Sequence, residues 1–220
     1  MGMLFLAALF GFMTWTLYGA LVVTPPAHVL GETARIIYFH VPVAWVAVLA
    51  FTMSLWNSVV VLRRHSYEAD MKAEVSARMG LWFCVLATIS GAFFAKSAWN
   101  MYWNWDPRQV SITVLLLVYM AYFGLRSATP DFDRRIRLAA VYAILAFAVM
   151  PFLVFVIPRV YMSLHPDTII NADGQGKLLD DKMRLVFWCA AAGYSFLYLK
   201  LYNLSVRVER IARRKEGWDV

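Results

Sequence analysis

"LAAVYAILAFAVMPFLVFVI" occupies residues 138–157 and contains no charged side chain. At 1.5 Å per residue a helix of this length spans about 30 Å, the thickness of a bilayer's hydrocarbon core. Pro151 lies inside the run and Pro158 just beyond it, a kink that a spanning helix tolerates when neighbouring helices re-satisfy its backbone. Outward from this stretch, five more apolar runs cover roughly residues 3–23, 41–62, 79–98, 110–125 and 185–203. Hydrophobic residues make up 61% of the 220-residue chain, well above the share in soluble domains. No run has a charge at its centre; Lys96 and Lys200 lie near run ends, where an ammonium reaches water. The first run has no basic residue before it and no small-residue cleavage site after it, so it reads as a span and not a signal peptide. The expectation is an all-α protein, a single six-span membrane domain over residues 1–220, with no internal repeat or low-complexity tract.

The net charge of +7 is partitioned, so it is no sign of nucleic-acid binding. Segments 63–78, 126–137 and 204–220 hold 13 Lys/Arg; segments 24–40, 96–109 and 159–184 hold 7. The positive-inside rule places the first set, with both termini, in the cytoplasm. Segments 63–78 and 126–137 read as polar connectors, and the tail "VRVERIARRKEG" as a solvated end beside anionic lipid or a partner subunit. Cys84 and Cys189 fall in different apolar runs and read as small core hydrophobes.

The outer connections carry the remaining chemistry. The fourth run is short for a span, and the preceding aromatic stretch "WNMYWNWD" (99–106) completes it if it dips into the outer leaflet. Asp106 fits an N-cap and Pro107 the first helical position. Trp99, Tyr102, Trp103 and Trp105 fit two readings: a membrane-interface belt, or a platform for a large flat ligand. Of four histidines, His65 lies inward among arginines as a solvated polar residue, and His28 has no evident partner. His40, in "IIYFHVPVAW", and His165, in "YMSLHPD", share a setting: an apolar, aromatic-containing approach at the outer boundary and a nearby proline. Two neutral imidazoles without a thiolate or carboxylate cluster make a poor zinc cage, whereas haem takes one or two axial ligands and a broad apolar surface. Its propionates need cations, and Arg35, Arg108 and Arg159 lie outward. "GQGKLL" lacks the flanking residues of a phosphate loop, no CxxCH holds a haem covalently, and no mid-span ionisable residue points to a proton-coupled pump.

"WNMYWNWD" resembles the WWD signature, W-G-x-x-W-x-W-D, of the haem-handling proteins of cytochrome c maturation. Trp99, Trp103, Trp105 and Asp106 fall in place; Asn100 replaces the glycine and is the residue that best substitutes for it at positive φ. Six spans, "YFHVPVAW" and "SLHP" resemble the haem exporter protein C (CcmC) family over nearly the whole chain. That resemblance implies a bacterial inner-membrane subunit without enzymatic activity. It implies haem b held non-covalently at the periplasmic face by His40 and His165 as axial ligands, with residues 99–106 as its platform. It also implies presentation to the haem chaperone CcmE, alongside the ABC subunits CcmA and CcmB, where ATP is hydrolysed, and the small membrane protein CcmD. Two other readings stand beside it: a cytochrome b-like electron carrier, which usually places its histidines within spans, and a cofactor-free permease or scaffold whose aromatics are anchors.

Overall fold

A computed structural model describes residues 2–27, 30–165 and 179–215. Its long helices are α1 (Gly2–Val23), α2 (Glu32–Arg64), α3 (Tyr67–Trp99), α4 (Pro107–Ala128), α5 (Phe132–Val160) and α6 (Asp181–Lys215), all long and apolar enough to cross a membrane. Each contains one of the six apolar runs. Helix α4 begins where its cap predicts: the Asp106 carboxylate accepts from Arg108 N, with Pro107 at the first turn. Helix α5 widens into a π segment, Phe152–Val156, directly after Pro151. Proline has no N–H to donate, and a π turn is one of the local adjustments that keeps the surrounding carbonyls paired.

Helix α2 is central, running along α3 and touching α5 and α6; α4 packs on α3 and α5, and α1 on α6. Where α2 to α5 meet, Phe51 stacks on Tyr119 with ring centres 3.6 Å apart, beside Cys84, Leu115, Tyr122, Ala143 and Met150. A Cβ at Gly80 would overlap the Phe51 ring, so this glycine lets α2 and α3 close. A second core of Ala20, Tyr38, Val186, Phe187 and Ala190 joins α1 and α2 to α6. Phe10, Trp15, Trp56, Trp82, Leu145 and Phe152 point outward, an apolar rim suited to acyl chains.

The segments expected to face inward depart from their reading as connectors. Residues 63–78 and 126–137 are mostly helix, not connectors: His65 and Ser66 alone separate α2 from α3, and residues 129–131 separate α4 from α5. The tail is also helical, through Lys215, and keeps much of the expected exposure: Val206 is buried and Glu209, Arg210 and Arg213 are partly covered, while Arg207, Val208, Ile211, Arg214 and Lys215 stay exposed. The reason for the helical extensions is mutual pairing of the charges. Arg126, 7% exposed, donates to both oxygens of Asp70 at 2.6 and 2.8 Å and to Glu74 at 2.8 Å. From α6, Arg213 reaches Glu74 at 2.7 Å and Arg210 reaches Glu68 at 2.8 Å. Helices α3 and α6 are each about 50 Å long, beyond the ~30 Å hydrocarbon core, so their ends can pair outside it. His65 ends α2 in the left-handed conformation (φ 49°), partly exposed and 3.3 Å from Asp133.

Candidate functional site

At the opposite end of α3, three connections converge. His40 lies in the first turns of α2. Its Nδ1 is 2.9 Å from Ser90 Oγ on α3, and a Cβ on Gly91 would sit 3.1 Å from its Cε1, so the bare backbone at Gly91 makes room for the ring. Ser90 Oγ also lies 2.8 Å from the Leu86 carbonyl and 3.2 Å from that of Ala87. A hydroxyl has one proton, and those carbonyls take it; Ser90 therefore accepts from His40 Nδ1–H.

His165 follows α5. Its ring centre is 6.5 Å from that of His40, with 36° between the planes. Phe94 and Trp99 of α3 lie at 5.5 and 6.3 Å from it, and Arg108 Nη1 is 2.8 Å from its Nδ1. Asp106 positions this segment. Buried to 6% exposure, its carboxylate accepts from Ser163 Oγ (2.8 and 3.0 Å) and Leu164 N (2.9 Å) while capping α4. Ser163 Oγ in turn accepts from His165 N at 3.1 Å. One carboxylate thus ties the end of the aromatic stretch to the histidine loop.

The stretch itself turns sharply. Asn100 ends α3 in the left-handed region (φ 60°, ψ 16°), as its substitution for glycine predicts. Trp105 also has φ 60°, an uncommon conformation for a bulky residue. Gln109 closes the loop, accepting from Asn104 N at 3.0 Å and donating to the Tyr102 carbonyl at 3.2 Å. Its aromatics divide. Trp99 turns toward His165, while Tyr102, Trp103 and Trp105 are 55%, 37% and 76% exposed. Of the three arginines expected outward, Arg108 contacts the histidine pair; among the described residues Arg35 is tied to Glu32, the Ala20 carbonyl and Thr24, and Arg159 to the Phe155 carbonyl. His28 lies outside the described residues. Ser90, Gly91, Phe94 and Ser163 were not singled out in the sequence; only Ser163, two residues before His165, carried a local signal.

Residues 1–219 match the family model described as Heme exporter protein C. The chain belongs to the Heme exporter protein C family. It is 30% identical over 202 residues to the Heme exporter protein C of Rhodobacter capsulatus, covering 89% of this chain and 81% of that one. It is 29% identical over 191 residues to the protein of that name in Bradyrhizobium diazoefficiens, covering 86% and 72%. The shorter match to the Escherichia coli K12 protein is 29% identical over 135 residues, 58% of this chain and 52% of that one. The family assigns the chain to haem transport in cytochrome c biogenesis, as a multi-pass membrane subunit, which fits a non-enzymatic role.

The donor set of this Heme exporter protein C member suits haem iron. Metal–imidazole bonds of about 2 Å put the centres of two axial rings roughly 6 Å apart, and His40 and His165 stand at 6.5 Å. Aromatic faces flank the pair, a guanidinium able to fork onto a carboxylate adjoins it, and both thiols are elsewhere in the helix bundle.

Proposed function

We propose that this chain holds haem b non-covalently at the periplasmic face of the bacterial inner membrane and presents it to the haem chaperone CcmE. The observation that carries the proposal is the meeting of His40 and His165, from separate connections, beside Arg108 and the aromatic stretch 99–106. In this reading the two imidazoles are the axial ligands. Trp99, Tyr102, Trp103 and Trp105 offer apolar surface to the macrocycle, Arg108 offers charge to a propionate, and Asp106 holds the His165 segment in place. The WWD segment at 96–109 is then the outer face of a single membrane domain. The charge partition supports cytoplasmic termini, because the histidine end is the lysine- and arginine-poor end. CcmA and CcmB supply ATP hydrolysis, and CcmD completes the complex.

Haem here is cargo: it brings the iron and the macrocycle that the chaperone later bonds. The chain's own task is to orient it and leave one edge accessible, which suits the exposure of Tyr102, Trp103 and Trp105. The test is a triple Trp99/Trp103/Trp105→Ala variant, scored for membrane abundance, bound haem and the haem–CcmE adduct. Each Trp carries roughly 200 Å² of surface, so partial loss of contact weakens haem binding by a few kcal/mol. Normal insertion with depleted haem and adduct is expected. Normal haem and adduct would return the tryptophans to interface anchors.

A further inference from the structure

Far from the histidine pair, the start of α5 carries a cleft of mixed charge. It encloses about 330 Å³ and is lined by Asp131, Asp133, Arg134, Arg137 and Leu138. Asp133 and Arg137 are four residues apart, a spacing that commonly pairs on a helix. Here Asp133 Oδ1 turns instead to His65 Nε2 at 3.3 Å and accepts from Tyr67 Oη at 3.2 Å. Asp131 Oδ1 caps α5, accepting from Arg134 N at 2.7 Å. Among the described residues no carboxylate pairs with the guanidinium of Arg134 or of Arg137, and both residues are exposed. They differ in this from Arg78, Arg126, Arg210 and Arg213, each of which is ion-paired. The cleft thus holds two guanidiniums and two carboxylates that do not neutralise one another.

Its depth in the membrane follows from the length of α5. The charge-free run 138–157 spans about 30 Å as a helix, the whole hydrocarbon core, so Leu138 stands at the core's edge. Arg137 and Arg134 lie about 1.5 and 6 Å beyond it along the helix, within the roughly 5–8 Å headgroup layer of one leaflet. On the core side of the cleft, Leu138, Val141 and Leu145 follow at three- and four-residue spacings, 38%, 45% and 62% exposed. They form one stripe along which an acyl chain can lie.

We propose that this cleft binds a phospholipid with a phosphoethanolamine headgroup. The phosphate lies against Arg134 and Arg137, whose forked donors match its oxygens. The primary ammonium lies against Asp131 and Asp133, each of which has a second carboxylate oxygen to accept from it. An acyl chain follows Leu138, Val141 and Leu145. Charge complementarity selects the headgroup. Phosphatidylglycerol brings an anion to the two carboxylates with no cation to offset them. Phosphatidylcholine brings a cation that has no N–H to donate. A zwitterion with N–H donors answers both halves of the cleft. The inference is independent of the haem-site reading and of which face of the membrane this end occupies.

The test is native mass spectrometry of the full chain from detergent micelles. The protein is titrated with the dioleoyl forms of phosphatidylethanolamine, phosphatidylcholine and phosphatidylglycerol, and with glycerophosphoethanolamine as the headgroup alone. Wild type should bind the ethanolamine lipid about three- to ten-fold more tightly than either other lipid, and the headgroup alone should not compete. Arg134→Gln/Arg137→Gln should weaken binding of all three lipids. Asp131→Asn/Asp133→Asn keeps a cap and an acceptor at these positions and should bind the ethanolamine and choline lipids alike. Equal binding of those two lipids by wild type overturns the proposal, and so does glycerol lipid bound as tightly as the ethanolamine lipid, which would mark a plain anionic-lipid contact. Competition by the free headgroup at the affinity of the lipid removes the lipid as occupant. An ethanolamine preference that survives both double variants puts the binding elsewhere and equally overturns the assignment. The wild-type comparison decides even where a variant fails to fold.

Discussion

Asp106 joins three parts of the molecule through one buried carboxylate: the N-terminus of α4, the Ser163 hydroxyl and the backbone before His165. A cap alone contributes about 1 kcal/mol. Removing a buried acceptor also strands its donors, at about 1–3 kcal/mol more. Asp106→Ala is therefore expected to lower unfolding stability in detergent by about 2–4 kcal/mol and to weaken haem binding by releasing His165. Asp106→Asn keeps one acceptor oxygen and should lose less of both. Thermal unfolding and haem titration of the two variants check this, and a loss of about 1 kcal/mol with normal haem binding would reduce Asp106 to a cap. The cap itself was legible in "DPRQ", because Asp and Pro are matched to adjacent positions by local geometry. So was the left-handed Asn100, from a motif with glycine at that place. The tether to residue 163 was not legible, since a contact between residues 57 apart leaves no periodic trace. Ser90 was hidden for a similar reason: within an apolar helix a serine bonding back to its own turn is ordinary, and only the fold brings His40 to it.

At the scale of the helices, apolar runs gave away all six spans, because the bilayer demands length and low charge from each one independently. Their inward extensions were read as loops because a sequence displays charges without displaying their partners. Asp70, 2% exposed, belongs with Arg126 of α4, and Glu74 with both Arg126 and Arg213 of α6. This cluster lies about twenty residues of α3 from Ser90, or roughly 30 Å away, and clamps α3, α4 and α6 together. Removing one member of a buried pair costs about 3–5 kcal/mol, whereas replacing both by apolar groups of similar size is often near neutral. Arg126→Leu is accordingly expected to destabilise by about that amount, and the double variant Asp70→Leu/Arg126→Leu to recover much of it. Unfolding of the two in the same micelle checks the claim, and an equal loss in both would show that Arg126 acts through packing and not through its charge.

Across the whole molecule, the two ends of the bundle divide the chemistry. One carries the paired charges of α3, α4 and α6; the other carries His40, His165, Arg108 and the aromatic stretch. In the proposed orientation, which the positive-inside partition favours, the histidine end faces the periplasm. A cysteine introduced at the exposed Asn100 should react with an impermeant reagent applied from the periplasm, and one at the exposed Ser127 should not; equal labelling of both from that side would contradict the orientation. The grouping of His40 with His165 was legible as two similar settings on one side of the membrane, but their 6.5 Å approach needed the packing of α2, α3 and α5 to bring them together. The measurement that bears most directly on this pair is the absorption spectrum and redox potential of haem-loaded protein. His40→Ala and His165→Ala should each change both, with added imidazole partly restoring either variant, while His65→Ala should match wild type. If both single variants keep the wild-type spectrum and potential, axial ligation by His40 and His165 is contradicted.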